Sequence, residues 1–342
     1  MPGLADAPTL LEVRNLSVDF VTQNQPPAHA IDNVSFILRK GEMLGIVGES
    51  GCGKTTLMLS LMRLLAATGR IVNGEIIFNG QDLLDLTERE IADIRWKDIS
   101  MIFQGAMNAL NPVRRVGDQI AEVIWQHYPG SEKKHVEAHI SELLDMVGIT
   151  SERKTQYPHQ FSGGMRQRVM IAMALACTPE IVIADEPTTA LDVMIQAQIL
   201  QLLRELREKL DVAVLFVTHN LGVVAEICDT VLVMYGGVAA EYADVDTIYN
   251  YPRHPYTQEL LKAFPNLSNL GDHQLSAIPG YPPRLDALPP GCRFAPRCPA
   301  VFDRCHTAPP PLFRLSRGRT KNNTPHWASC YLVEPDQIND QP

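Results

Sequence analysis

The chain has 342 residues, of which 45% are hydrophobic and 20% charged, with a net charge of −9. That is enough for one large or two ordinary domains with a sizeable core, and it excludes a disordered chain. The acidic balance excludes a nucleic-acid binder working through a broad basic surface. The N-terminus, Met1 to Asp6, lacks the basic and apolar regions of a secretory signal. The best candidate for a membrane span, Leu57 to Ala67, is broken by Arg63. A soluble or peripheral, cytosolic protein is therefore expected.

Residues 10–47 alternate as strands do: Leu11, Val13, Leu16, Val18 and Phe20, then Ile31, Val34, Phe36 and Leu38. Gln25-Pro26-Pro27 reads as a loop, and Arg39-Lys40-Gly41-Glu42 as a hairpin turn. The apolar run Met43, Leu44, Ile46, Val47 reads as a buried strand, and 56–62 as a helix. Between them stands Gly48-Glu49-Ser50-Gly51-Cys52-Gly53-Lys54-Thr55, which fits the phosphate-cradling P-loop pattern. A strand turning tightly into a helix aims backbone N–H groups and a positive helix end at one point. The three glycines let the backbone wrap a phosphate chain, Lys54 supplies a point charge, and the Thr55 hydroxyl can ligate Mg²⁺. Thr56, which opens the expected helix, is counted with them among the nucleotide-binding residues.

Further along, 74–80 reads as a short strand ending in an Asn-Gly turn, and 99–104 as a strand with Gln104 at its end. Residues 117–149 have helical spacing, marking a helical insertion over about 105–165. A helix is expected over 165–176, an amphipathic helix over 194–209, and strands over 181–185, 212–217 and 231–235. Composition changes near residue 250. Eleven of the 25 prolines lie between Pro265 and Pro311, so the tail is not expected to extend a sheet. It reads as an appended small domain, 251–342 after 1–250, that needs a staple.

Four motifs add chemistry to the P-loop. Ile181 to Asp185 is an apolar strand ending in an acid, suited to hold Mg²⁺ through water, and Glu186 stands next as a general base. Ser162-Gly163-Gly164 opens a helix and makes a second anion site, which makes sense if it closes over ATP held by another subunit. Gln104 can reach the metal or the attacking water. His219 can hydrogen-bond the γ-phosphate and orient Glu186. Taken singly, Asp185-Glu186 reads as a helix N-cap with a solvated acid, and Gln104 or His219 as an ordinary polar surface residue; paired with the P-loop they do not.

With these motifs in this order the chain resembles an ATP-binding-cassette ATPase over about residues 10–245. The resemblance implies an α/β P-loop fold, with a RecA-like core, an antiparallel β subdomain and a helical subdomain. It also implies an adenine-stacking aromatic at Phe20, a signature at 162–167, and a D-loop at Ala190-Leu191-Asp192. The signature reads Phe161-Ser162-Gly163-Gly164-Met165, departing from the family's common Leu-Ser-Gly-Gly-Gln at its two ends. The tail, with Tyr251-Pro252-Arg253-His254-Pro255-Tyr256-Thr257, resembles the C-terminal extension of dipeptide and oligopeptide importer ATPases. That closer resemblance implies a peripheral subunit on the cytoplasmic face, two permease partners, a second homologous ATPase, an extracytoplasmic binding protein and no nucleic acid. Relatives that import nickel or oligosaccharides leave the cargo open. Two other classes compete: a non-transport cassette and a free-standing P-loop kinase. The first calls for long coiled coils or two cassettes in one chain. The second would not need Ser162-Gly163-Gly164.

Cys292, Cys298, Cys305 and Cys330 crowd the last fifth of the chain. A cytosolic setting disfavours disulfides. Structural zinc needs four thiolates, usually in pairs two to four residues apart, and a [4Fe–4S] cluster takes four thiolates from a looser loop. Resemblance to iron–sulfur-bearing members of the peptide-importer group tips the expectation to [4Fe–4S], with Zn²⁺ as the alternative and a structural role in either case.

Overall fold

The computed structural model describes residues 7–23, 25–105, 109–189, 191–263, 278–315 and 324–333. Ala190 of the expected D-loop and Pro265 lie outside them. The chain forms two compact units, residues 1–85 with 218–342, and residues 86–217.

The first unit opens with β1 (Thr9–Phe20), β2 (Ala28–Arg39), β3 (Met43–Val47), α1 (Lys54–Leu61), β4 (Gly69–Phe78) and β5 (Gln81–Asp82). Four of these form an antiparallel sheet in the order β2-β1-β4-β5. Its inward row changes phase, from Leu11 and Val13 to Leu16 and Val18, all four at most 1% exposed. The pairing register shifts at the same place on both sides of β1. Asn15 has φ 47° there, and the facing Gly74 has φ 106°. A Cβ on Gly74 would lie 2.6 Å from the Arg14 carbonyl oxygen. A bulge thus keeps one face apolar across the phase jump. Asn79 and Gly80, at φ 48° and 82°, make the tight turn into β5, as an Asn-Gly pair favours.

The second unit contains α2 (Glu88–Ile94), β6 (Ile99–Ile102), α3 (Val116–His127), α4 (Lys133–Met146), α5 (Gly163–Ala174), β7 (Ile181–Asp185), α6 (Val193–Leu210) and β8 (Ala213–Thr218). Here β6, β7 and β8 run parallel, with Ile99 opposite Ile181 and Ile181 opposite Ala213. Every residue of all three strands is buried, so they read as near-continuous apolar runs, broken only by Ser100 and by Asp185 and Thr218 at strand ends, rather than alternating ones. Ile120 and Ile124 of α3, and Ile140, Leu143 and Leu144 of α4, face inward at helical spacing. Each such aliphatic side chain contributes about 1.5–3 kcal/mol on burial.

The first unit resumes with α7 (Leu221–Ile227), β9 (Thr230–Tyr235), β10 (Val238–Asp244), α8 (Val245–Asn250), α9 (Pro255–Ala263), α10 (Asp303–Thr307), β11 (Phe313–Arg314) and β12 (Trp327–Ala328). β9 lies parallel to β3 and antiparallel to β10. Two expectations are corrected. Arg39 to Glu42 turns the chain but makes no hairpin, because β2 and β3 belong to different sheets. The tail does extend a sheet: β12 pairs with β10, and β11 with β12. Both pairing segments are proline-free dipeptides, while the prolines sit in the loops between. Among the described residues no helix is long and apolar enough to cross a membrane.

Candidate functional site: a phosphate cradle, a carboxylate turn and a four-cysteine loop

The P-loop follows β3, whose five residues are all buried. Gly48 is fixed by close approach, since a Cβ there would stand 2.2 Å from the Met234 carbonyl oxygen and 2.7 Å from Cys52 Sγ. Gly53 caps α1 at φ 104°, a conformation that suits glycine. The Lys54 ammonium donates to the carbonyl oxygens of Gly48 (2.7 Å) and Glu49 (3.0 Å) and touches Cys52 Sγ at 3.7 Å. It is thereby folded over the loop. Cys52 is buried, Ser50, Gly51 and Thr55 are exposed, and Glu49 and Thr56 are half-buried. Phe20 ends β1, opposite Ala28 and Gly69. Its ring fills the place of the missing Gly69 Cβ, 3.0 Å away. His219 is exposed just after β8.

In the second unit, Asp185 ends β7 at 2% exposure. Glu186 follows with φ 45°, a left-handed conformation that costs a non-glycine residue about 1–2 kcal/mol. Its N–H donates to Val217 O (3.0 Å) and its carbonyl accepts from Thr189 N (3.1 Å), which holds it there. Two donors converge on one carboxylate oxygen of Glu186: Gln104 Nε2 at 2.8 Å and Thr189 Oγ1 at 2.9 Å. Strain of this kind concentrates at working sites. The structure thus joins Gln104 to Glu186 and adds Thr189, a residue to which the sequence alone assigned no role. Its position three residues on, across a tight turn, was the available signal.

Ser162 caps α5, accepting from Met165 N at 3.3 Å. Asp192 caps α6 likewise, accepting from Ile195 N at 3.0 Å. The two helix starts abut, because a Cβ on Gly164 would lie 2.6 Å from Ile195 Cγ2; Gly163 beside it is half-buried. The two departures in the signature share one partner. Arg153 lies over the Phe161 ring at 4.8 Å and reaches Met165 Sδ at 3.2 Å.

All seven cysteines are free thiols. Cys292, Cys298, Cys305 and Cys330 line a single small cavity, closed by His254, Phe294 and Pro310 among others. Cys292 N donates to Cys305 O at 2.8 Å, and Gly291 allows that approach, a Cβ there standing 2.2 Å from the same oxygen. Burial raises the thiols of Cys292 and Cys298, and that of Cys330 to about 11, with the other cysteines adding to the effect. Among the described residues, no three His, Cys, Asp or Glu side chains stand at single-ion ligating distances.

Comparison with known proteins agrees with these features. Residues 31–189 match the family described as ABC transporter, and residues 240–305 the oligopeptide/dipeptide transporter C-terminal region. The oligopeptide transport ATP-binding protein OppD of Salmonella typhimurium is 50% identical over 317 residues, covering 92% of this chain and 93% of OppD. AppD of Bacillus subtilis is 46% identical over 331 residues, covering 96% and 98%. The dipeptide transport protein DppD of Bacillus subtilis is 48% identical over 328 residues, covering 95% of each. The post-hydrolysis dimer of the cassette MJ0796 with ADP and Pi superposes with a TM-score of 0.62 at 28% identity, over 69% of this chain and 99% of that one. A glycine-rich loop after a buried strand, a left-handed carboxylate turn and a cysteine-bearing extension are thus found together in a chain related to OppD, AppD and DppD along nearly its whole length, and the chain belongs to the ABC transporter ATPases with an oligopeptide/dipeptide-type C-terminal region.

Proposed function

We propose that the chain is the ATP-hydrolysing subunit that energises import of di- or oligopeptides through a pair of membrane permeases. The observation that carries this reading is that similarity to OppD, AppD and DppD runs through the C-terminal extension instead of stopping at the cassette. A peripheral position on the cytoplasmic face, a second homologous ATPase chain and an extracytoplasmic binding protein complete the assembly. Uptake into vesicles carrying the permeases tests it: ATP-dependent accumulation of a labelled peptide is expected, and accumulation of nickel or an oligosaccharide but no peptide would overturn it.

In this reading Lys54 and the backbone of Gly48 to Thr56 bind the phosphates, and Phe20 stacks on adenine. Thr55, Gln104 and Asp185 offer the hard oxygen donors that suit Mg²⁺, which neutralises phosphate charge when bound. Glu186, held by Gln104 and Thr189, accepts a proton from the attacking water. His219 hydrogen-bonds the γ-phosphate. The start of α5, Ser162-Gly163-Gly164, and Asp192 serve ATP bound to the partner ATPase. Catalysis of this kind is mainly positioning and charge stabilisation.

The four-cysteine loop is proposed to hold a [4Fe–4S] cluster. Four thiols around one cavity supply the donor set a cluster takes, and bound there it would cross-link a loop with little apolar core. Zinc in place of iron in anaerobically purified protein would overturn this assignment.

A further inference from the structure

Glu49, the second residue of the P-loop, is gripped from the C-terminal extension. Its carboxylate is met by both arms of the Arg297 guanidinium, at 2.5 and 3.0 Å. Its N–H donates to the Tyr256 hydroxyl at 2.9 Å. Arg297 is itself firmly held, and its side chain is 4% exposed against 24% for Glu49. Its Nε donates to Pro279 O (2.8 Å), its Nη2 to Ile278 O (3.2 Å) and its Nη1 to Tyr235 Oη (3.2 Å). The ion pair raises the already basic Arg297 further. Tyr235, Tyr256 and Phe294 form a ring cluster beneath it, with centroids 4.5 to 5.4 Å apart. Such a fork-to-carboxylate pair is strong and geometrically specific.

The cost of losing it follows from charge. A carboxylate within a loop whose backbone N–H groups gather phosphate oxygens opposes the anion that loop binds. Two hydrogen bonds to one guanidinium cancel that charge and fix which way the carboxylate points. Burial of Tyr256 keeps its phenol neutral, so it adds an anchor without adding charge. Arg297 directly precedes Cys298, so whatever orders the cysteine loop also orders this contact.

We propose that Arg297 is a positioning residue for ATP binding: it neutralises and orients Glu49, so that nucleotide affinity in the P-loop depends on the docked C-terminal extension. This rests on reading Gly48 to Thr55 as the nucleotide cradle. The test measures the Kd of Mg-ATP and the Tm on the full chain, and the KM for ATP and kcat in the assembled transporter. Arg297→Gln is expected to raise Kd and KM about tenfold, as for an uncompensated charge beside a water-screened anion site, with kcat at saturating ATP kept. Arg297→Lys, which keeps the charge and loses the fork, should stay within about threefold. Glu49→Gln should not weaken binding, and the double variant Glu49→Gln/Arg297→Gln should recover affinity to within about twofold of the native chain. A merely structural Arg297 would lower Tm without that rescue. Unchanged Kd in Arg297→Gln, or additive losses in the double variant, would overturn the proposal. If Arg297→Gln does not fold, weakened binding in Glu49→Gln alone overturns it. Lys54→Ala separates the two readings: if it loses ATP while Arg297→Gln does not, positioning fails and the cradle stands; if neither loses ATP, the cradle reading fails.

Discussion

Gly48→Ala adds one methyl group, and the structure sets its cost. The new carbon would stand 2.2 Å from the Met234 carbonyl oxygen, 2.7 Å from Cys52 Sγ and 3.2 Å from the Met234 carbonyl carbon. A carbon and an oxygen need more than about 3 Å, so about 1 Å must be found. Neither neighbour yields easily: Met234 is backbone of β9, which is paired with β3 on one side and β10 on the other. Overpacking of this kind costs about 1–3 kcal/mol, and the backbone contact puts it at the upper end. A shift of about 1 Å in a positioned loop also costs about a hundredfold in function. Gly51→Ala is the control: its Cβ would meet nothing within 4 Å, and only φ +79° opposes it, a penalty of about 1–2 kcal/mol. Titration with a fluorescent ATP analogue, with thermal unfolding in parallel, should show Gly48→Ala losing measurable binding and Gly51→Ala weakening it modestly. Equal effects of the two, or native affinity in Gly48→Ala, would refute the role of close approach.

Lys54→Ala deletes the cation folded over the loop and should weaken nucleotide binding about a hundredfold or more, read by the same titration. Glu186→Gln should keep ATP binding, lose most hydrolysis in the assembled transporter and favour the closed ATPase pair; near-normal turnover would remove Glu186 as the base. His219→Ala should slow turnover with a smaller effect on affinity, and an affinity loss as large as that of Lys54→Ala would make it a binding residue instead. Cys→Ser at any of 292, 298, 305 or 330 should lose iron and acid-labile sulfide from anaerobic protein while ATP still binds, and retained iron would strike that cysteine from the ligand set.

What the sequence disclosed follows the range of the forces involved. The runs at 43–47, 181–184 and 212–217 are apolar because both faces of each strand are covered, and length and flanking signals suffice to place them. The P-loop and the Asp185-Glu186 turn were legible for a related reason: their chemistry is local, carried by residues within eight positions of one another. The strand expected over 231–235 stops short of β10 because Gly236-Gly237, at φ 55° and 88°, is a two-residue loop with both φ positive, which joins antiparallel strands instead of ending one. Thr189 was in plain view, but its bond to Glu186 depends on a left-handed backbone that no pattern announces. Arg153 is harder still, since its link between Phe161 and Met165 crosses from a segment with no motif of its own.

The tail is held to the rest of its unit by polar contacts as well as by its short strands. A proline-rich segment with few buried side chains cannot order itself through apolar area, and a bound cluster is one remedy. The other is attachment to something already rigid. Fully buried Glu241 on β10 accepts from Arg253 N (2.7 Å) and His254 N (3.0 Å) at one end of the extension. It also binds His326 Nε2 at 2.7 Å, beside β12 at the other end. One side chain of the cassette thus closes a long loop of the extension, from Arg253 to His326. Removing the histidine takes one of three hydrogen bonds from a buried side chain, at a cost of about 1–3 kcal/mol. Hydrogen bonds here substitute for the missing core. Arg297 extends the same polar attachment to the second residue of the P-loop, donating to both carboxylate oxygens of Glu49.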